Sequence, residues 1–305
     1  MSPSASPFAS VELAPRDPIL GLTEAFNADD RPGKVNLGVG VYTDDAGKVP
    51  LLEAVRVAEE RRLAAHPSRG YLPIDGLVAY NRAVQGLLFG AGSQLVADGR
   101  AVTVEALGGT GALKVGADFL RRALPGASVA ISDPSWENHR ALFEGAGFEV
   151  GTYAYYDPAT RGVDADAMAA SLEALPAGTI VVLHACCHNP TGADLDRAGW
   201  ERVVAIVGER GLVPFVDMAY QGFADGIAQD AVAVDLLAAS GLDFLVSSSF
   251  SKSFSLYGER VGALTIVAAD RDEAARVLSQ VKRVVRANYS SPPTHGGAVV
   301  ADVLA

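Results

Sequence analysis

The sequence predicts an α/β fold: one large domain with a mostly parallel sheet covered on both faces, plus a smaller attachment. Two observations carry this. From Ala101 onward, apolar runs of four to seven residues alternate with stretches of helical apolar spacing, the pattern of strands buried on both faces between helices. The 305-residue chain is 49% apolar and 20% charged, a globular composition with enough apolar material for a sizeable core.

Residues 1 to 15, rich in serine and proline, read as a flexible arm. Asp17-Pro18 followed by Ile19, Leu20, Leu22 and Phe26 predicts a short helix with an N-terminal proline. Val35 to Tyr42 alternates loosely, and its glycines imply close backbone approach in a loop or strand near a site. Helices are expected over 51–65 and 77–88, separated by the breaker-rich loop His66 to Pro73 that contains Tyr71. Strands then follow at 101–107, 127–132, 148–153, 179–184, 212–217 and 242–246. Helices are expected between them at 111–123, 136–145, 164–174, 195–209 and 231–239. A further strand over Val261 to Ala268 and a helix over 271–285 complete the pattern.

Open α/β sheets bind ligands at the carboxyl ends of their strands, and here those ends are polar. The first is Gly108-Gly109-Thr110-Gly111, either a plain helix-start turn or a cradle of backbone N–H groups for a phosphate; its glycine spacing does not match the dinucleotide fingerprint. The second runs from Ser132 to His139, where Trp136 is either a helix-entry anchor or a platform for a planar ligand. The strand at 179–184 ends in His184-Ala185-Cys186-Cys187-His188-Asn189-Pro190-Thr191-Gly192. This is either a turn or a device that aims the Asn189 amide into a pocket, and its Cys-Cys-His spacing does not suit structural zinc. Asp217, at the end of a buried strand with Tyr220 three residues on, needs a cationic partner: a helix N-terminus or a protonated ring nitrogen.

The last strand end, Ser247-Ser248-Ser249-Phe250-Ser251-Lys252-Ser253, surrounds one amine with hydroxyls and precedes Arg260 by eight positions. None of it reads as core. It is either a solvated loop or an anion site with an amine that burial makes nucleophilic.

With 25 basic against 36 acidic residues, the net charge of −11 disfavours nucleic acid and anionic membrane surfaces, so an anionic ligand needs a locally basic pocket. The two cysteines are adjacent, which builds no disulfide framework and suits core thiols in a reducing compartment. No signal-peptide pattern opens the sequence and no stretch approaches about 18 continuous apolar residues, so the cytoplasm is the expected location.

Taken in order, Gly109-Thr110, Trp136, Asn189-Pro190-Thr191-Gly192, Asp217-Met218-Ala219-Tyr220, Ser249-Phe250-Ser251-Lys252 and Arg260 resemble the aspartate/aromatic aminotransferase family of pyridoxal-phosphate enzymes. The resemblance runs from about Pro18 to Ala305 and includes Asn36 to Gly40, Tyr71 to Gly76 and Arg286 to Ser290; the wording around Lys252 is closer to the bacterial aromatic branch. It implies a fold-type I three-layer αβα domain over residues 49–305, with residues 16–48 as the N-terminal part of a small domain. By the same resemblance Lys252 forms the Schiff base with pyridoxal 5′-phosphate, Asp217 pairs with the pyridinium nitrogen with His139 behind it, and Tyr220 and Asn189 bond the ring 3-oxygen. Trp136 stacks on the ring; Gly109, Thr110, Ser249 and Arg260 hold the phosphate, joined by Tyr71 of the neighbouring subunit of a homodimer. Gly38, Trp136, Asn189 and Arg286 are the implied substrate contacts.

The implied reaction is ping-pong transamination between an aromatic or dicarboxylic amino acid and a 2-oxo acid such as 2-oxoglutarate or oxaloacetate. A β-elimination on the same scaffold and a non-catalytic cofactor-binding fragment are the alternatives. Family members continue past the position of Ala305 with a segment that completes the small domain and grips the substrate α-carboxylate. The expectation is therefore a fragment or truncated form, weak in stability or activity by itself.

Overall fold

The computed structural model describes residues 6–14, 20–36 and 40–305; the expected N-terminal arm, the proline start of the first helix and Gly38 fall wholly or partly outside this range. The chain divides into two compact units, Met1–Val49 and Pro50–Ala305. The first carries helix α1 (Leu20–Ala28) and a tight turn in which the N–H groups of Ala46 and Lys48 donate to Asp44 Oδ1, each at 2.9 Å.

The second unit opens with α2 (Glu53–Ala65), α3 (Val78–Phe89) and the short α4 (Gln94–Ala97). Strands β1 (Ala101–Leu107), β2 (Val129–Asp133) and β3 (Val150–Ala154) alternate with α5 (Gly108–Ala123) and α6 (Glu137–Gly145). A two-stranded ribbon, β4 (Tyr156–Asp157) with β5 (Gly162–Val163), leads to α7 (Ala165–Glu173). Then come β6 (Ile180–His184), α8 (Arg197–Arg210), β7 (Val213–Met218), α9 (Val232–Ser240), β8 (Phe244–Ser249), β9 (Val261–Val267), α10 (Arg271–Asn288) and α11 (Thr294–Val303). Local chemistry sets several of these boundaries. Asp164, Asp196 and Asp270 cap α7, α8 and α10 by accepting an N–H three residues on, and Gly211 closes α8 in the left-handed region.

The sheet has seven strands in the order β1-β9-β8-β7-β6-β2-β3, and all run parallel except β9, which lies antiparallel between β1 and β8. Side chains of β6 alternate between two cores: Ile180 and Val182 face one, Val181 and Leu183 the other. The first core is closed by Leu113 and Phe119 of α5, Phe143 of α6 and Val284 of α10. The second is closed by α2, α3, α7, α8, α9 and α11 through Val55, Val84, Leu172, Trp200, Leu237 and Val299. The result is the three-layer α/β architecture expected from the alternation.

Three local expectations are corrected. Strand β8 runs on to Ser249 and is buried throughout, and Phe250, Phe254 and Leu256 join the core, so the serine-rich stretch is largely interior. The three serines pair with Leu264, Ala263 and Gly262 of β9, which gives their backbone groups ladder partners without exposure. Helix α5 begins at Gly108, three residues early, because a φ of +70° there lets the chain pass from strand to helix with no linker. The two cysteines, expected as core thiols, lie in a bend beyond β6, and only Cys186 is buried while Cys187 is half-buried.

Antiparallel β9 brings Gly262 against the Gly108 turn, where a Cβ would sit 2.3 Å from the Gly108 carbonyl carbon. Gly262→Ala is therefore expected to force turn and strand apart and to cost about 1–3 kcal/mol in urea unfolding. Among the described residues no helix is long and apolar enough to cross a membrane.

Candidate active site

The carboxyl ends of β1, β2, β6, β7 and β8 share one edge of the sheet, and because β9 runs the other way its start, with Arg260 immediately before it, joins them. There Gly108 lies against the Arg260 guanidinium: a Cβ would meet Nη2 at 2.5 Å and push the guanidinium aside, and the φ of +70° also favours glycine. Arg260 Nη1 donates to Ser251 Oγ at 3.1 Å, and Ser247 Oγ donates to the Gly109 carbonyl at 3.2 Å. Ser249 is packed so closely that a Cβ on Gly109 would lie 3.0 Å from its own Cβ. Gly109 and Thr110 occupy the first turn of the 16-residue α5, where backbone N–H groups lack intrahelical acceptors. Free N–H groups, two hydroxyls and a guanidinium around a glycine hollow form a donor set suited to a phosphate.

Across the edge, Asp217 is the penultimate residue of β7, with only 7% of its surface exposed. His139 Nε2, fully buried on α6, lies 2.9 Å from Asp217 Oδ2. A carboxylate only accepts, so this nitrogen carries the proton, and Nδ1 accepts from Ser135 Oγ at 3.0 Å. Ser135 in turn sits 3.4 Å from His184 Nε2, and His184 Nδ1 accepts the Asn189 N–H at 3.4 Å. Trp136 meets the His139 ring edge-on at 5.2 Å.

Sequence reasoning missed the depth of this polar column. His184 and His188 lie 4.1 Å apart, centroid to centroid, and Tyr155 stacks on His188 at 4.0 Å. Burial pushes His188 down to about 4 and His184 well below the usual histidine range, so both stay neutral. Ser132 and Thr191 satisfy the two nitrogens of His188 at 2.9 and 2.8 Å, and Asp194 accepts the N–H groups of Cys187 and His188. The signal was present in histidines placed at two strand ends, but the edge-on contact of His139 with His184, 4.9 Å between centroids, depends on β2 and β6 being neighbours.

Lys252 lies between the two halves. Its Nζ sits 4.7 Å over the Tyr220 ring, and burial lowers its pKa, with Arg260 adding to the effect and Asp217 opposing it. Burial likewise raises the Tyr220 phenol, with Asp217 contributing. Asp230 ties down the loop after Tyr220 by accepting the N–H groups of Gly222, Ala224, Asp225 and Gly226.

The fold therefore gathers Gly109, Thr110, Trp136, Asn189, Asp217, Tyr220, Ser249, Lys252 and Arg260 along one edge. Tyr71 and Arg286 stand apart: Tyr71 is 98% exposed in the loop before α3, and Arg286 is exposed in the last turn of α10, where it donates to Ser290 Oγ. Gly38 lies outside the described residues.

The family model for aminotransferases of class I and II matches residues 32–305. An aspartate aminotransferase of Pseudomonas aeruginosa is 66% identical over 297 residues, which cover 97% of this chain and 75% of that protein. An aromatic-amino-acid aminotransferase of Escherichia coli is 53% identical, with the same coverage. Among solved structures, the aromatic-amino-acid aminotransferase of Burkholderia pseudomallei, covalently bound to pyridoxal phosphate, superposes with a TM-score of 0.96 at 68% identity, covering 99% of this chain and 75% of that one.

Proposed function

Since this chain belongs to the class I and II aminotransferase family, we propose that it transfers the amino group of an aromatic or dicarboxylic amino acid to 2-oxoglutarate or oxaloacetate, in ping-pong fashion, with pyridoxal 5′-phosphate as cofactor. One observation carries the reading: a half-buried lysine of lowered pKa stands between a glycine–arginine anion cradle and a buried carboxylate–imidazole pair. That donor set matches the cofactor part by part, an amine for its aldehyde, a cradle for its phosphate and a carboxylate for its ring nitrogen. When bound, the cofactor supplies an electron-withdrawing ring that accepts the electrons left behind when a substrate Cα proton departs.

In this reading Asp217 holds a proton at the ring nitrogen, and His139 keeps the carboxylate oriented through its 2.9 Å hydrogen bond. Tyr220 and Asn189 bond the ring oxygen, and Trp136 presents a flat face to the ring. Gly109, Thr110, Ser249 and Arg260 bind the phosphate. Lys252 attaches the cofactor and, once displaced, moves the proton at Cα; its lowered pKa leaves more neutral amine at neutral pH than an exposed lysine has. Trp136 and Asn189 complete the substrate contacts. Tyr71 and Arg286, both exposed, serve the site of a second subunit in a cytoplasmic homodimer, Tyr71 at the phosphate and Arg286 at the substrate side-chain carboxylate. Residues 16–48 belong to a small domain and 49–305 to the large one.

Two experiments test this. Amino transfer from aspartate, glutamate and tyrosine to a 2-oxo acid should be measurable in the cofactor-loaded protein; release of ammonia without need of an acceptor would instead indicate elimination. Borohydride reduction should fix pyridoxyl on Lys252, and a label found elsewhere would overturn the assignment. Arg260→Ala is expected to weaken cofactor binding by about 1.5–3 kcal/mol, roughly 10- to 150-fold, the worth of hydrogen bonds to a charged group. Fluorescence titration with pyridoxal phosphate reads this directly, and Arg260→Lys should fall between the two because it keeps the charge but not the planar fork.

A further inference from the structure

Glu105 sits in the middle of β1, two residues before the strand gives way to the glycine cradle, with 1% of its surface exposed. Three site-bearing segments meet on it. Its N–H donates to the Asp75 carbonyl at 3.0 Å, and its Oε2 accepts the Leu77 N–H at 3.2 Å, so it anchors the turn that closes the Tyr71 loop. Its carbonyl accepts the Tyr289 hydroxyl at 3.0 Å, at the end of the helix that carries Arg286. The carboxyl group itself is wedged between two glycines. A Cβ on Gly76 would lie 2.6 Å from Oε2, and one on Gly297 of α11 would lie 2.1 Å from Oε1.

Among the described residues no cation answers this carboxylate. Tyr80 of α3 and Tyr289 face it with phenols. Asp75 in the turn is paired with Lys282 of α10 at 2.9 Å. His295 and Asp302 of α11 pair with Glu59 and Arg61 of α2 at 3.5 and 3.4 Å, Lys114 of α5 is paired with Asp118, and β9, whose Ala263 lies opposite Glu105, has no charged residue.

We propose that Glu105 is a positioning residue of the cofactor site, and that loss of its proton loosens both the Tyr71 loop and the glycine cradle that β1 delivers. The inference rests on the cofactor reading given above. As a neutral acid the carboxyl fits its dry slot; as an anion it keeps one backbone hydrogen bond and loses its solvent, which favours opening of the turn toward water. Burial pushes its pKa up to about 7 against the opposing pull of the Leu77 N–H. Between the unfolded value of 4.5 and about 7, the folded chain keeps a proton that the unfolded chain has released. Stability therefore falls as pH rises through that window and levels off above it.

The test compares the full chain with Glu105→Gln, which keeps the shape and fixes the neutral state. Pyridoxal phosphate is titrated into each cofactor-free protein from pH 5.5 to 8.5, and the ratio of the two dissociation constants cancels the pH dependence of the cofactor. The wild-type to E105Q ratio should rise at least about threefold across that range, with about 30-fold as the ceiling that a shift from 4.5 to about 7 allows between those two pH values. A purely structural glutamate would give a constant ratio, and that result overturns the proposal. A second measurement needs no variant. Tryptic cleavage after Arg69 in the wild-type protein, normalised to a short control peptide, should quicken as pH rises through neutrality; a flat profile also overturns the proposal. If neither protein binds pyridoxal phosphate at any pH, the cofactor reading fails and the cleavage profile alone decides the role of Glu105.

Discussion

Lys252→Ala is expected to lower the rate of amino transfer by about 10⁴-fold, the upper range for one positioned proton-transfer group. The reason lies in where the amine stands. Lys252 is the amine set between Arg260 and Asp217, and its lowered pKa comes first from burial and then from Arg260, so no neighbouring group replaces it. The phosphate cradle is built by Gly108, Gly109, Ser249 and Arg260, which the substitution leaves in place. The variant should therefore still bind pyridoxal phosphate and melt within a few degrees of wild type, separating lost chemistry from lost fold. Lys252→Arg should be equally inactive, because a guanidinium stays protonated and cannot act as base or nucleophile. Single-turnover measurement with a saturating amino acid reads the step; a variant that retained a tenth of wild-type activity would remove Lys252 from its role.

Asp217→Asn is expected to cost about 10³-fold in turnover, similar to deleting one charge-stabilising group in a dry site. The amide keeps the shape and a hydrogen bond to His139 but lacks the negative charge that holds a proton on a ring nitrogen. The column of His139, Ser135 and His184 behind it carries no replacement anion, and burial holds His184 neutral. Asp217→Ala should lose a similar amount of activity and in addition about 1–3 kcal/mol of stability, because His139, fully buried, is left with an unpaired Nε2–H. Turnover and thermal unfolding measured on both variants separate the two effects. Equal activity of Asp217→Asn and wild type would sink the ring-nitrogen assignment.

The fold was legible where the determinants are local. Strand β1 occupies the expected 101–107, and β6, β7 and α9 begin or end within a residue or two of expectation, because buried strands and amphipathic helices announce themselves by period. Short pieces were not legible: the β4–β5 ribbon has two residues a side, too few for any period to register. Helix α11 escaped for another reason. Its sequence, Thr-His-Gly-Gly-Ala-Val-Val-Ala-Asp-Val, carries two glycines in its first turn that local propensity counts against a helix, yet Gly297 is the small residue that leaves room for the Glu105 carboxyl.

By itself the sequence determined the chemical inventory and its order along the chain: a glycine turn, an asparagine, an aspartate, a lysine and an arginine at successive strand ends, in a pattern that resembles aminotransferases. Tertiary structure alone decided three further things. It turned β9 against its neighbours, so that Arg260 and Gly262 close on Gly108 from more than 150 residues away in sequence. It buried Ser247, Ser248, Ser249 and Ser251 on the approach to Lys252, which no solvated loop would do. It also confined an uncompensated carboxyl, Glu105, beneath the cradle. The physical reason is the same in each case. Residue type and period act over a few positions, whereas strand pairing, burial and the electrostatics that follow from burial depend on which distant segments share one edge of the sheet.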